Sequence, residues 1–217
     1  MSAIRADLPG RHAIAGQLLH RGIVPLDTTH GPFTAHVLQN VANGTFAIAL
    51  ARGDVRGPAP LLARIHSSCV TSETFGGCDC DCVEQLELAL ARIAEQDRGV
   101  VFYLMQEGRG AGFTAKARDR MLVQASRNRL TTFEAYARMG LGHDQRRYDE
   151  VGHACALLGV AASVMLSVSV FGVAHTLIPS LRLSPRLASA ATGLECADAY
   201  PGPRLATTRY REPILIF

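Results

Sequence analysis

Strand-like and helical segments alternate along this chain between residues 61 and 170, and this alternation limits the possible folds more than any other feature. Three runs are expected to be strands: Leu61–His66, Val160–Val170 and the fully buried Gly99–Met105. Three stretches with helical spacing lie between them, one from Cys82 or Val83 onwards and two over about residues 115–127 and 147–158. This order predicts an α/β domain with a mixed β-sheet flanked by helices.

The segments around the alternating region suggest how the rest of the chain is organised. Phe33–Val41 and Thr45–Ala51 enclose Asn43-Gly44, a dipeptide typical of tight hairpin turns. We expect residues 1–27 to be a lead-in containing a short helix, residues 28–180 to be the functional domain, and residues 181–217 to be an extension packed on that domain. With 217 residues, 48% of them hydrophobic, the chain can bury one large core.

The cysteines are unevenly distributed, since four of the six fall between Cys69 and Cys82. Cys80 and Cys82 flank a single residue, so their side chains can turn toward one point only in a loop, and Gly76-Gly77 suits such a loop. Three thiolates, from Cys69, Cys80 and Cys82, with a fourth position left for water are the layout of a catalytic zinc site. The spacing C-x10-C-x-C is not that of a zinc finger, which counts against a nucleic-acid module.

The same cysteines could instead form a disulfide, or be buried inert thiols or redox-active thiols. The N-terminal sequence lacks the apolar core of a secretory signal, and no stretch reaches transmembrane length. We therefore expect a cytoplasmic protein without a membrane partner, where structural disulfides are rare. Metal binding is the interpretation we favour, with Cys78 outside the ligand set. Cys155 and Cys196 lie among apolar and small residues and are expected to be core thiols.

The charge of the chain limits its partners. A net charge of +3 is too small and too scattered to indicate a nucleic-acid-binding surface. Lys116 is the only lysine, so arginine carries nearly all of the positive charge. Because the guanidinium group matches phosphate and carboxylate in a bidentate geometry, the positions of the arginines are informative.

Three polar clusters lie at the ends of the predicted elements: Arg64–Cys82, Gln106–Arg109 and Asp144–Arg146. Strand-to-helix junctions are where α/β proteins place their sites. Taken alone, the second cluster could be a turn with a solvated ion pair, and the third could be a helix N-cap. Taken together with a zinc loop, they suggest metal-activated water, a carboxylate that reads a ligand, and arginines that bind phosphate.

Four sequence blocks carry a family resemblance: ARIHSSCVTSETFG, CDC followed by Gln85-Leu86-Glu87, GVVFYLMQEGRGAG and GLGHDQRRYDEVGHACALLGV. In order and spacing they resemble GTP cyclohydrolase II, a zinc enzyme family that opens the imidazole ring of guanine at the start of riboflavin synthesis. The resemblance extends from about Thr28 to Val168. It implies an α/β enzyme that is typically a homodimer and takes a nucleotide substrate.

The resemblance also assigns roles by position. Cys69, Cys80 and Cys82 match the zinc ligands, Asp144 matches the catalytic acid/base, and Arg146 matches the residue that attacks or grips the α-phosphate. The matching substrate-binding positions are Arg64, His66, Ser67, Gln85, Glu107, Gly108, Arg109, Thr132 and Ser167. Zinc is the implied cofactor, and magnesium accompanying the nucleotide phosphates is a further expectation.

The chemistry of these side chains agrees with those roles. Zinc lowers the pKa of bound water to about 7, and the resulting hydroxide would add to C8 of the purine and open the ring to a formamide. A second hydrolysis would then release formate. Glu107 can accept hydrogen bonds from N1–H and the 2-amino group of guanine. Arg109 and Arg146 suit the phosphates and the departing diphosphate, and Asp144 can orient Arg146 or transfer a proton.

Several positions depart from the family pattern. Arg120 replaces a catalytic tyrosine, and some members that lack this tyrosine stop at the formylated ring-opened product. Gly172 replaces a lysine that meets the nucleotide, although Ser167 keeps a hydroxyl. The remaining departures are Ser68 for glutamate, Gly110-Ala111 for Asn-Ile, and Cys78 for an apolar residue.

These departures leave three functions open. The chain could be a cyclohydrolase acting on GTP or a close relative, with formate release or a formamide as the end point. It could be a diverged ring-opening hydrolase acting on a different nucleobase or nucleotide in specialised metabolism or nucleobase breakdown. It could also be a non-catalytic nucleotide-binding relative. The orientation of Arg120 bears on this choice: it could face the site and bind an acidic group of a different substrate, or turn outward to Asp119 or Glu150.

Overall fold

The structure, a computed structural model, describes residues 14–15, 18–169 and 172–179, and the side chains of residues 18–161. Its strands are β1 (Ile14–Ala15), β2 (Leu18–Thr28), β3 (Gly31–Asn40), β4 (Phe46–Arg52), β5 (Leu61–Ser67), β6 (Gly99–Leu104), β7 (Ala162–Ser169) and β8 (Gly172–Pro179). Its helices are α1 (Val70–Glu73), α2 (Cys82–Glu95), α3 (Phe113–Ala125), α4 (Thr132–Arg138) and α5 (Asp149–Leu158).

The strands form one mixed sheet in the order β1-β2-β3-β4-β6-β5-β7-β8. Strands β1 to β4 are antiparallel neighbours, and β4 is antiparallel to β6. Strand β5 runs parallel to both β6 and β7, and β8 returns antiparallel to β7. The predicted mixed sheet and the predicted hairpin at Asn43-Gly44, which joins β3 to β4, are both confirmed.

Helices cover both faces of the sheet, and each face has its own apolar cluster. On one face, Val151 and Ala154 of α5 pack in a cluster that includes Phe102 of β6. On the other, Ala89 and Ile93 of α2 pack in a cluster with residues of β3, β5 and β6. Cys155 is buried in the α5 cluster, as expected for a core thiol. None of the helices in the described ranges has both the length and the hydropathy needed to cross a bilayer.

Two described elements differ from the sequence-based expectations. Residues 18–27 were expected in the lead-in but belong to strand β2, which pairs with β3 along its length and begins at the buried Leu18 and Leu19. Strand β2 was not predicted because the exposed side chains that follow Leu19 show no alternation of apolar and polar residues. Helix α4 was not predicted, although Thr131 and Glu134 form a capping box at its start. The extension 181–217 and Cys196 lie outside the described residues.

Candidate active site

The carboxyl ends of β5 and β6 open into one cavity. Ser67 at the end of β5 pairs with Leu104 at the end of β6, so the residues that follow both strands share one edge of the sheet. All of the predicted site residues line this cavity except Asp144 and Ser167. Asp144 adjoins the lining through Arg146. Ser167 lies on β7, whose side chains are not described.

Three cysteine sulfurs converge at this cavity. Cys69 precedes helix α1, and the Sγ atoms of Cys69, Cys80 and Cys82 all lie within 4.8 Å of one another. The Cys69 and Cys80 sulfurs are 3.4 Å apart, and hydrogen bonds with Cys80 and Cys82 hold the pKa of Cys69 well below its usual range. Cys78 is exposed, points its sulfur at the carbonyl oxygen of Gly76, and is not part of this cluster.

The loop between Cys69 and Cys80 depends on a close backbone approach at Gly77. The Gly77 N–H donates to the carbonyl oxygen of Thr71 at 2.8 Å. A Cβ atom at position 77 would lie 2.9 Å from that same oxygen, so only glycine fits without a backbone shift. The turn at Gly77 thus lets Cys80 fold back toward Cys69.

Lys116 connects the cysteine cluster to Glu107. Its Nζ donates to the Cys69 sulfur at 2.9 Å and to Glu107 Oε1 at 2.8 Å. Burial alone would lower the pKa of Lys116, but these two hydrogen bonds outweigh burial and raise it, so the side chain stays charged. Sequence reasoning noted that Lys116 is the only lysine yet did not place it in the site.

The Glu107 carboxylate is already bonded to the protein at both oxygens. Oε2 accepts from the backbone N–H of Val70 at 2.8 Å, and Oε1 accepts from Gly108 N–H and Lys116. Each carboxylate oxygen can accept two hydrogen bonds, so Oε2 keeps one acceptor position. Glu107 is therefore a fixed carboxylate, and the alternative of a solvated ion pair in a surface turn is wrong, because its partner Lys116 is largely buried with it.

A buried network lies behind the cysteines and joins His66, Glu73 and Tyr103. Glu73 Oε1 lies 2.9 Å from His66 Nε2 and accepts from the Cys69 N–H, while Oε2 accepts from the Tyr103 hydroxyl. Burial tends to raise the pKa of Glu73, but the hydrogen bonds from His66 and Tyr103 bring it below its usual value. Glu73 was not predicted as a site residue from the sequence. The signal that indicates it is its position four residues after Cys69, which is the N-cap of α1.

Arg64 and Gln85 form a buried pair under the cavity. Arg64 Nη2 donates to Gln85 Oε1 at 2.7 Å, and both side chains are almost fully buried. Burial lowers the pKa of Arg64 to about 10, which leaves it cationic at neutral pH. A strand residue and a helix residue that both match nucleotide-binding positions are thus brought together by packing α2 on β5.

Asp144 and Arg146 form an ion pair at the cavity. Arg146 Nε donates to Asp144 Oδ1 and Oδ2 at 3.0 Å each, and the Arg146 N–H also donates to Oδ1 at 3.0 Å. Burial raises the pKa of Asp144, but the bonds to Arg146 outweigh burial and lower it. The alternative of a helix N-cap is wrong for Asp144, because α5 has Tyr148 at its N-cap position.

The loop carrying Arg146 is joined to the end of β6. The Gln106 side chain donates to the carbonyl oxygen of Arg147 and accepts from the Arg147 N–H at 2.7 Å, while Gln145 N–H donates to the Arg109 carbonyl at 2.9 Å. A Cβ at Gly110 would lie 2.7 Å from the Gln145 backbone. Two clusters that are far apart in sequence therefore form one backbone unit.

Two further predicted residues complete this side. The Arg109 guanidinium stacks over the Phe133 ring at 4.4 Å from its centroid, a cation–π contact with the first turn of α4. Thr132 begins α4 and lines the cavity beside them. The unpredicted helix α4 thus supplies both a residue predicted to bind the nucleotide and an aromatic ring that contacts an arginine.

Arg120 lines the cavity and contacts the cysteine loop rather than Glu150, one of the partners proposed for an outward orientation. Its Nε lies 3.0 Å from Asp79 Oδ2, and its Nη2 donates to the Asp79 carbonyl oxygen at 3.4 Å. Glu150 instead accepts hydrogen bonds from Asn40 and Thr45. Arg120 is therefore attached to the cysteine loop.

The lining of the cavity is rich in positive charge. Five cationic side chains line it against two carboxylates, those of Glu107 and Asp119; the cations are Arg64, Arg109, Lys116, Arg120 and Arg146. Charge-assisted hydrogen bonds from such groups are the usual means of holding phosphate. The arrangement can thus bind an anionic ligand beside a cluster of thiols.

A model of the family described as GTP cyclohydrolase II matches residues 20–170. The chain belongs to the GTP cyclohydrolase II family. It is 40% identical over 136 residues to GTP cyclohydrolase-2 of Shewanella amazonensis and 42% identical over 137 residues to GTP cyclohydrolase-2 of Pseudomonas aeruginosa. In both cases the match covers 63% of this chain and 65% of the relative's length.

Two further similarities concern larger proteins. The riboflavin biosynthesis protein RibBA of Phocaeicola vulgatus is 36% identical over 154 residues, which is 70% of this chain and 35% of that protein. Among solved structures, RibBX, a two-domain 3,4-dihydroxy-2-butanone 4-phosphate synthase from A. baumannii, aligns with 70% of this chain and 34% of its own chain. Its TM-score is 0.41 at 13% identity.

Proposed function

We propose that this GTP cyclohydrolase II family member is a zinc-dependent cyclohydrolase, which opens the imidazole ring of GTP or a close guanine nucleotide in riboflavin synthesis. The observation that carries the proposal is the convergence of three thiols on a cavity that also holds Glu107 and several arginines. Relatives named GTP cyclohydrolase-2 and RibBA support the choice of reaction.

The donor set fits zinc. Two Zn–S bonds of about 2.3 Å at a tetrahedral angle place their sulfurs about 3.8 Å apart, and the three sulfurs here lie within 4.8 Å of one another. Cys69, Cys80 and Cys82 would hold the ion and leave one coordination position open. When bound, zinc lowers the pKa of a coordinated water to about 7 and so supplies hydroxide at neutral pH. Lys116 offsets the negative charge that three thiolates leave beside a divalent ion.

Arg109 and Arg146, which line the cavity, would bind the phosphates. Asp144 holds the Arg146 guanidinium in one orientation, and Phe133 supports the plane of Arg109. Pre-organised guanidinium groups stabilise the charge that develops on a departing diphosphate at little cost in side-chain entropy. Magnesium would enter with the phosphates of the substrate.

His66 is arranged to act as a hydrogen-bond acceptor in the cavity. Because Glu73 faces Nε2, a neutral His66 ring would carry its proton on Nε2 and its lone pair on Nδ1. Nδ1 is buried and has no hydrogen-bond partner among residues 18–161. We propose that Nδ1 accepts a hydrogen bond from an N–H group of the base or from the attacking water.

The end point of the reaction depends on position 120. The Arg120 guanidinium offers only donors and stays protonated, so it cannot replace a catalytic phenol. We therefore propose that the main product is the formylated ring-opened nucleotide. A different substrate with an added acidic group is less well supported, because Asp79 already neutralises the charge of Arg120.

The test is incubation of the zinc-loaded protein with a nucleotide panel, with mass spectrometry of the products and an assay for formate. We expect ring-opened product from guanine nucleotides and none from ATP. Metal analysis of Cys→Ser variants accompanies the test: the Cys69, Cys80 and Cys82 variants should lose zinc, and the Cys78 variant should keep it. A zinc-loaded protein that leaves every guanine nucleotide unchanged but opens another nucleotide of the panel would be the diverged hydrolase instead, and one that leaves the whole panel unchanged would be the non-catalytic relative.

A cytoplasmic homodimer is the assembly that we propose. Residues 20–28 of β2 have no partner strand on their outer side within the described ranges, and Ile23, Val24 and Leu26 are exposed there. An apolar open edge of this kind is suited to pairing with a second copy. Light scattering should give twice the mass of the chain, and Val24→Lys should shift it toward the monomer. The thiol-rich site calls for a reducing compartment.

A further inference from the structure

The contact between Arg120 and Asp79 involves the residue directly before a metal ligand. Asp79 stands between Cys78 and Cys80 in the loop that follows Gly77. Arg120 reaches it from helix α3 and contacts both the side chain, at 3.0 Å, and the backbone carbonyl, at 3.4 Å. The ion pair holds the Asp79 side chain, and the hydrogen bond to the carbonyl oxygen restrains the peptide group that leads into Cys80.

The chemistry of arginine suits this task. Its planar group carries donors in a fixed fork, so one side chain can bind a carboxylate and a carbonyl oxygen together, whereas a tyrosine hydroxyl donates a single hydrogen bond. Helix α3 also carries Lys116, one turn before Arg120, and Lys116 donates to the Cys69 sulfur. A single helix thus contacts both ends of the cysteine loop.

From this geometry we propose that Arg120 is a positioning residue, which fixes Cys80 for metal binding through Asp79. The proposal rests on the zinc site of the proposed function. It gives position 120 a task in metal binding that is separate from its contact with the cavity.

The expected loss of zinc affinity follows from the solvent exposure of Arg120 and Asp79. Loss of a partner outside the first coordination sphere typically weakens metal binding by 10- to 100-fold. Arg120 is 21% exposed and Asp79 is 44% exposed, and their contact acts on the residue before Cys80 rather than on its sulfur. We therefore expect the lower end of that range, about tenfold weaker zinc binding for Arg120→Ala.

The experiment measures zinc affinity by chelator competition, without nucleotide, for wild type, Arg120→Ala, Asp79→Ala and the double variant. We expect both single variants to bind zinc about tenfold more weakly than wild type. The double variant should lose no more zinc affinity than either single variant, because all three remove the same interaction. Arg118→Ala is the matched control, since Arg118 is an exposed arginine on the same helix, and it should bind zinc like wild type. With cobalt in place of zinc, the thiolate-to-metal absorption band should change in the Arg120 and Asp79 variants only.

Circular dichroism establishes that each variant is folded, and Arg120→Gln replaces Arg120→Ala if the latter is not. Zinc binding within twofold of wild type in the Arg120 and Asp79 variants would overturn the inference, as would losses that add in the double variant. A wild-type chain that binds zinc but does not turn over GTP would reject the proposed function and leave this inference standing. A wild-type chain that binds no zinc would reject both.

Discussion

Replacing Lys116 with methionine removes the cation that joins the cysteine cluster to Glu107. In the wild-type chain, Lys116 Nζ donates to Cys69 Sγ at 2.9 Å and to Glu107 Oε1 at 2.8 Å. Methionine keeps most of the apolar stem and loses the ammonium group, so packing changes little. After the change, Glu107 still accepts from the backbone of Val70 and Gly108 but has lost its ion pair with Lys116.

The expected loss of stability follows from burial. A hydrogen bond to a charged group contributes about 1.5–3 kcal/mol, and the value for an exposed ion pair is below about 1 kcal/mol. Lys116 and Glu107 are 12% and 14% exposed, so solvent screens the pair only weakly. We expect Lys116→Met to cost about 2–3 kcal/mol in the free energy of unfolding of the metal-free protein. For a chain of this length that corresponds to a melting temperature lower by about 5–10 °C.

The assay is thermal unfolding of the metal-free and the zinc-loaded protein, monitored by circular dichroism. Zinc binding should also weaken in Lys116→Met, because the Cys69 sulfur loses its charged donor. Arg118→Met on the same helix is the control, since its side chain is exposed, and it should melt within about 1 °C of wild type. If Lys116→Met melts like Arg118→Met and binds zinc like wild type, the reasoning about this pair is refuted.

Three further predictions concern product, substrate and pH. Wild type should convert GTP mostly to the formylated ring-opened nucleotide, and Arg120→Tyr should raise formate release per bound zinc; stoichiometric formate from wild type would contradict this. Because Gly172 stands where a lysine is expected, one charge-assisted contact worth about 1.5–3 kcal/mol is missing. GTP and GDP should therefore bind with affinities within about tenfold of each other. A strict triphosphate requirement in a binding titration would contradict this prediction. Burial and the neighbouring His20 lower the pKa of His36 to about 4. Its contribution to stability should therefore be complete above about pH 6.5 and decline as the pH falls toward 4, and urea unfolding of His36→Gln should show a smaller decline.

The parts of the fold that the sequence predicted are those with a strong local signal. Gly99–Met105 is continuously apolar, and it forms a strand over Gly99–Leu104 because a strand with helices on both faces needs apolar side chains on both sides. The cysteine cluster was predictable for a similar reason. Two ligands one residue apart within a glycine-containing loop leave few geometries, and Gly77 permits the turn that is observed.

Several of the parts that were missed depend on contacts between distant residues. Lys116 lies 47 residues from Cys69 along the chain, so only the packed fold reveals their hydrogen bond. The Asp79 contact of Arg120 likewise spans 41 residues and could not be read from helical spacing. Strand β2 escaped prediction because its exposed edge carries polar and apolar side chains without a period. In each case tertiary structure, rather than local propensity, decides the outcome.

The double hydrogen bond between Gln106 and the backbone of Arg147 has a consequence for which ligands can be held. Because that contact joins the Arg146 loop to the end of β6, the backbone positions of Glu107 and Arg146 are held relative to one another. Under the proposed function, this would keep the carboxylate that binds the base and the guanidinium that binds the first phosphate at a constant spacing for the mono-, di- and triphosphates of guanosine. A nucleobase without its ribose and phosphate would contact Glu107 and lack the contact with Arg146.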